Sequence, residues 1–227
     1  MLPFARMLEY GNVRVNDYLG YNFDTSESYG RVNVSTSVIY GTAVSTVIPV
    51  PYAGYSNMLR LTNSTINMLP DGALSSIGTK DFEYTLIFYL YPGGTSYDYI
   101  MNFNLNQTED SVMMVRITDS GLGNRLQFSV GAYDISNRIS CNRTRTDLEG
   151  KVNKLVVRRV GGVITSYLND VQMLMGAWTN ASTKSTFANS SSVHVTKYYF
   201  GEYDGSAKFG SDIGYIDFRF NFLGEIR

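Results

Sequence analysis

Apolar and polar residues alternate along most of this chain. In Arg125-Leu126-Gln127-Phe128-Ser129-Val130 the spacing places Leu126, Phe128 and Val130 on one face of a strand. Phe82 to Tyr91 is an aromatic and β-branched run closed by Pro92-Gly93-Gly94, which predicts a long strand ending in a turn. Further strands are predicted over 99–105 and 112–117, with Asp119-Ser120-Gly121 as the turn that follows. The runs 154–160 and 163–168 are joined by Gly161-Gly162, a hairpin signal, because a two-residue primed turn needs positive φ. Asn169-Asp170 predicts a second tight turn and a return strand at Val171-Gln172-Met173. The last strands are expected over 197–200 and 213–220. Helical signal is confined to single turns at 73–77 and 148–151. Residues 176–192, rich in Ser, Thr, Asn and Ala, lack periodicity and predict an exposed loop. Short strands separated by turn signals specify an antiparallel sandwich or barrel.

Composition narrows the function classes. The 227 residues carry 19 Lys+Arg and 20 Asp+Glu, a formal charge of -1. Charged residues make up 17%, so the polar surface is largely Ser, Thr, Asn, Gly and Tyr hydroxyl. No basic excess exists to release counterions from nucleic acid. The 44% hydrophobic content excludes disorder, and a lone Cys141 excludes a disulfide scaffold. No segment reaches the roughly 18 consecutive apolar residues of a membrane span. Met1 to Arg6 starts no signal-length apolar run, which predicts synthesis and retention in a cytosol. Six Asn-x-Ser/Thr sequons (Asn33, Asn63, Asn106, Asn142, Asn180, Asn189) are then a product of composition.

Three segments resemble the concanavalin-A-like jelly roll of the laminin-G-like type. Gly78-Thr79-Lys80-Asp81-Phe82 through Tyr91-Pro92 resembles that family's Gly-Thr-x-Asp-Phe strand, with Phe88-Tyr89 where Phe-Trp is usual. Val152 to Val171 resembles its central hairpin, with Asn153-Lys154 replacing Trp-His and Asp170 replacing a Gly. Tyr199-Phe200-Gly201 with Ile213 to Phe220 resembles its closing strand. Tyr21 to Ser26 and Ser56 to Leu61 fit the opening strands, so the resemblance spans roughly 18–227. It implies an all-β, antiparallel two-sheet jelly-roll sandwich over 18–227, preceded by an arm at 1–17. Asp217 and Arg219 would then face outward or pair across strands.

This architecture hosts lectins, glycanases, adhesion modules and structural domains, so function must come from sites. A glycanase of this type carries Glu-x-Asp-x-Glu on one strand. Glu202-Tyr203-Asp204 is a partial match that ends in Ser206, which argues against an enzyme. His194, the only histidine, is expected as a half-buried strand residue, and Cys141 as a small buried one. Laminin-G-like domains bind calcium, and Asp119, Asn124 and Asp98 supply oxygens of the right kind. A glycan platform needs exposed aromatics beside polar groups. Trp178 is the first candidate, with Tyr97, Tyr99, Tyr133 and Tyr203 at loops or loop edges. Leu2, Phe4, Met7, Leu8 and Tyr10 make residues 1–17 unusually apolar, an anchoring segment.

The overall style resembles bacteriophage virion proteins. That resemblance implies a non-enzymatic structural or decoration protein of the capsid, head fibre or tail. It would be assembled in the host cytoplasm, with other virion proteins and further copies of itself as partners. The alternative is a glycan-binding adhesin or receptor-binding module facing cell-surface sugars. An endoglycanase ranks last.

Overall fold

A computed structural model of the chain describes side chains over 78–93, 98–101, 113–118, 123–131, 137–177 and 182–194, with residue 121. Elsewhere it describes the backbone of further strands between 18 and 220. Leu2, Phe4, Met7, Leu8 and Tyr10 lie outside the described residues.

The strands form two large antiparallel sheets. The ten-stranded sheet runs in the order Val171–Gln172, Val163–Leu168, Val152–Val160, Phe82–Leu90, Gly210–Phe220, Tyr18–Asn22 and Glu27–Gly30. Phe187–Ala188 adds to Val163–Leu168, and Asn57–Thr62 with Thr46–Pro49 adds to Gly210–Phe220. The six-stranded sheet runs Met175–Ala177, Arg138–Thr144, Arg125–Gly131, Val112–Ile117, Asp98–Phe103 and Tyr198–Tyr199. Distant segments meet early and late in the chain: Phe82–Leu90 pairs with Gly210–Phe220, which pairs with Tyr18–Asn22.

Alternation explains how the sheets face each other. Phe82, Tyr84, Leu86, Phe88 and Leu90 point inward from one sheet. Met113, Val115, Ile117, Leu126, Phe128, Val130, Ile139 and Cys141 point inward from the other. Each large side chain fully buried this way stabilises the fold by about 1.5–3 kcal/mol. The two predicted tight turns are present as positive-φ pairs, Gly161 at 56° with Gly162 at 74°, and Asn169 at 51° with Asp170 at 66°. The Asp170 carboxylate also accepts a 2.7 Å bond from Lys154 Nζ.

Arg159 breaks the alternation rule. It occupies an inward position of Val152–Val160 and is fully buried, with its guanidinium 4.8 Å from the Phe82 ring centroid. Its Nη2 donates to Gly78 O (2.9 Å) and Lys80 O (2.8 Å), and Nη1 to Ser191 O (2.7 Å). Burial lowers its pKa and the Asp81 carboxylate opposes that shift. One side chain thereby ties three separate stretches of backbone together.

Three local expectations need correction. Residues 73–77 are not a helical turn: Leu74–Gly78 is a strand paired with Val193–Val195. Residues 176–192 are not one exposed loop. Gly176 sits buried in the edge strand opposite Ser140, and Asn189 is 5% exposed, donating to Val130 O at 2.9 Å. Those bonds satisfy the amide that a polar, aperiodic sequence suggested would face water. His194 lies in a strand, as expected, but is exposed rather than half-buried, because its neighbour Val193 takes the inward position.

Gly131 supports the same region. At φ 102° it leaves room for Ser191, whose Cβ would lie 2.2 Å from any Cβ placed there. A Gly131→Ala variant is expected to unfold at least about 2 kcal/mol more easily, read from urea midpoints. An unchanged midpoint would contradict this packing.

Candidate functional site

The most organised polar group lies on the six-stranded sheet, on the side away from the core. Met113, Val115 and Ile117 face inward with no exposure, so Arg116 points outward. Gln127, between inward Leu126 and Phe128, does the same. The antiparallel register sets Arg116 opposite Gln127 on one side and opposite Tyr99 on the other. A register shift at Val115/Arg116 makes Tyr99 the partner, with Met101 opposite Val115. Gln127 in turn stands opposite Ser140.

These four side chains form one hydrogen-bonded line across four strands. Arg116 Nη1 donates to Tyr99 Oη at 2.8 Å. Arg116 Nε and Nη2 donate to Gln127 Oε1 at 2.8 and 2.6 Å. Gln127 Nε2 donates to Ser140 Oγ at 3.1 Å. The guanidinium also lies 5.6 Å from the Tyr99 ring centroid. Charge-assisted bonds of this kind are stronger than neutral ones and fix rotamers. In the adjacent row Met114 faces Ser129, which faces Arg138. Ser129 Oγ is buried and has no hydrogen-bond partner among the described residues.

The line is enclosed. Tyr99 is 2% exposed and Arg116 3% exposed, although both point away from the core. It is therefore a rigid polar floor, with hydroxyl, amide and guanidinium groups held in place. None of these seven described residues is a carboxylate or an imidazole.

The structure corrects two candidate roles. Tyr99 is no exposed platform, because its ring is buried beside Arg116 within a strand. Asp98 is no open calcium ligand: its carboxylate pairs with the guanidinium of Arg145, itself 5% exposed. Arg145 begins the short helix Arg145–Leu148, and its backbone N–H donates to Asn124 O at 2.7 Å. Asp98 and Asn124 both contact Arg145, the first at its guanidinium and the second at its backbone N–H. Burial lowers the Arg145 pKa, against the pull of Glu149. Among the described residues no group of three or more His, Cys, Asp or Glu could hold a metal. Asp119, Tyr97, Tyr133 and Trp178 lie outside the described residues. Tyr203 is in the strand Glu202–Tyr203, and its side chain is outside the described part.

The partial glycanase pattern is also placed. Glu202 and Ser206 lie on two short strands that pair with each other, Glu202 opposite Ala207 and Tyr203 opposite Ser206. Residues 202, 204 and 206 therefore do not lie along one continuous strand, as that pattern requires. Arg219 sits in register opposite Glu83, whose carboxylate accepts from Arg158 at 2.6 Å.

Cys141 is buried in the core, and burial pushes its thiol up to about 12. Thiol reagents are expected to modify it only after unfolding, read as 412 nm release with and without urea. Its linkage has a definite sign. The unfolded thiol, near 9, ionises first, so the native state binds more protons above that pH. Stability from this group is full below pH 9. It falls by about 1.4 kcal/mol per pH unit from there towards about 12. Tyr84, also raised by burial, steepens the loss above pH 10. Urea midpoints at pH 8 and 10.5 check this, and equal midpoints would contradict it.

Of the four residues in this line, the sequence pointed only to Tyr99, and as an exposed aromatic. Arg116, Gln127 and Ser140 each occur at outward positions of alternating strands, and an outward polar residue looks solvated in sequence.

No family model and no curated protein matches the chain. Solved structures do. Domain 4 of AbnA, a GH43 extracellular arabinanase from Geobacillus stearothermophilus, in complex with arabinotriose, aligns with TM-score 0.60 and 14% identity. The alignment covers 91% of this chain and 93% of that chain. The fold is a two-sheet jelly roll. Trypanosoma rangeli sialidase aligns with TM-score 0.54 and 9% identity, over 91% of this chain and 31% of that chain. The chain thus spans about a third of the sialidase it matches. At these identities the likeness concerns the fold.

Proposed function

We propose that this chain is a non-catalytic carbohydrate-binding module whose ligand site lies on the side of the six-stranded sheet away from the core, over the closed Tyr99–Arg116–Gln127–Ser140 line. The observation that carries the reading is the likeness of this two-sheet jelly roll to the arabinanase domain, with TM-score 0.60 over 91% of this chain. The Tyr99–Arg116–Gln127–Ser140 line, at most 3% exposed, stiffens the sheet beneath the site and does not itself touch ligand. Sugars are recognised by fixed hydrogen-bonding groups together with aromatic faces. The buried line supplies order, and Trp178 is the aromatic candidate for stacking. The arabinanase domain shares the fold along nearly its whole length and was solved with arabinotriose.

The comparisons favour this reading over virion assembly. The virion proposal rests on composition and on residues 1–17, which lie outside the described part.

A glycan array with the intact chain tests the proposal. Neutral oligosaccharides, arabino-oligosaccharides among them, are expected to bind without being cleaved. Trp178→Ala is expected to weaken binding about tenfold, the loss of roughly 1.4 kcal/mol of stacking. Retention of full affinity would remove Trp178 from the site, and product release from the bound glycan would contradict a non-catalytic module.

A further inference from the structure

We propose that the outer face of the ten-stranded sheet carries a second glycan subsite, built on Tyr89 and Tyr91. The inference rests on the carbohydrate-binding reading above and adds a second place and a ligand charge class to it.

The geometry begins with strand Phe82–Leu90. Its inward side chains belong to the core, so Glu83, Thr85, Ile87 and Tyr89 face outward. Glu83 is committed to Arg158, and Ile87 is 7% exposed. Tyr89 and Tyr91, at the strand's end, are half-buried. Their ring centroids lie 5.4 Å apart with planes at 74°, so the two rings form a corner.

Neighbouring groups complete it. Pro92, Gly93 and Lys151 are exposed. Glu149 Oε2 accepts from Gly93 N at 3.3 Å, and Gly150 N donates to Leu90 O at 2.8 Å. These bonds hold residues 149–151 beside the tyrosine corner. Val152 stands opposite Tyr89 in the register on one side, and Asp212 on the other.

The chemistry fits a sugar ring. The C–H face of a pyranose or furanose stacks on an aromatic ring, while its hydroxyls need both donors and acceptors. Lys151 offers donors and Glu149 offers acceptors. With Glu149 and, in the register, Asp212 against the single Lys151, the patch is net acidic and selects neutral sugars over uronates or sialic acids. Two packed sheets, about 10 Å apart, separate this face from the Arg116 floor. A trisaccharide therefore cannot bridge them, and the two sites bind independently.

Arabinotriose titrated into the full chain, followed by calorimetry and by saturation transfer to the ligand, tests the proposal. Wild type is expected to bind two molecules per chain. Tyr89→Ala/Tyr91→Ala is expected to bind one, whereas Tyr89→Phe/Tyr91→Phe keeps two, since phenylalanine preserves the rings. If the alanine variant fails to fold, line broadening of the Tyr89 and Tyr91 ring signals in wild type decides the matter alone. One site in wild type, unaffected by either tyrosine pair, overturns the second subsite and leaves the first. No binding at all overturns both.

Discussion

An Arg159→Met variant is expected to lose about 3–5 kcal/mol of unfolding free energy. Methionine fills much of the same volume, so the loss does not come from a cavity. It comes from the oxygens left behind. Gly78 O, Lys80 O and Ser191 O accept from the guanidinium at 2.7–2.9 Å. These carbonyls are only partly buried, and each left without a donor costs up to about 1–3 kcal/mol. The guanidinium's contact with the Phe82 ring is lost as well. Urea unfolding followed by far-ultraviolet circular dichroism measures the change. The midpoint should fall while the folded spectrum stays β-rich. A loss below about 1 kcal/mol would mean that the three segments are held by other contacts.

The second large effect is at Asp98. Asp98→Asn keeps the shape but removes the charge that neutralises Arg145. Both side chains of the pair are nearly closed to solvent, 6% and 11% exposed. Leaving one buried charge unpaired costs about 3–5 kcal/mol. Arg145 already feels its burial, since its pKa is lowered even with the carboxylate in place. The same variant separates two accounts of this end of the sheet. On the ion-pair account, added calcium does not change the thermal midpoint of wild type or variant. A calcium-dependent rise in wild type that vanishes in Asp98→Asn would make Asp98 a metal ligand instead.

Much of the fold was legible because its determinants are local. Leu126, Phe128 and Val130 alternate, and Gly161-Gly162 and Asn169-Asp170 carry the turn chemistry their positive φ requires. The strand Arg138–Thr144 was not foreseen, because Arg138, Asn142 and Arg143 break its apolar frame. Arg159 illustrates the limit more sharply. Leu155 and Val157 set the inward face of its strand, yet a cation in that frame looks like an error. Only the carbonyls of residues 78, 80 and 191, brought close by folding, make it an interior residue. The floor was illegible for the same reason. Arg116 and Gln127 are eleven residues apart, and only the register of two strands sets them side by side. Tyr99 was mistaken for a surface aromatic because a loop-edge position says nothing about what packs over it.

Chemical-shift mapping of arabinotriose binding tests the central claim most directly. The Arg116 Nε–H and the Gln127 side-chain amide give resolved signals of their own, each held in the line that crosses the sheet. On the proposed function, saturating ligand shifts both signals, together with backbone amides of Val112–Ile117 and Arg125–Gly131. Shifts that spare that sheet while the sugar is demonstrably bound would contradict a ligand site over it.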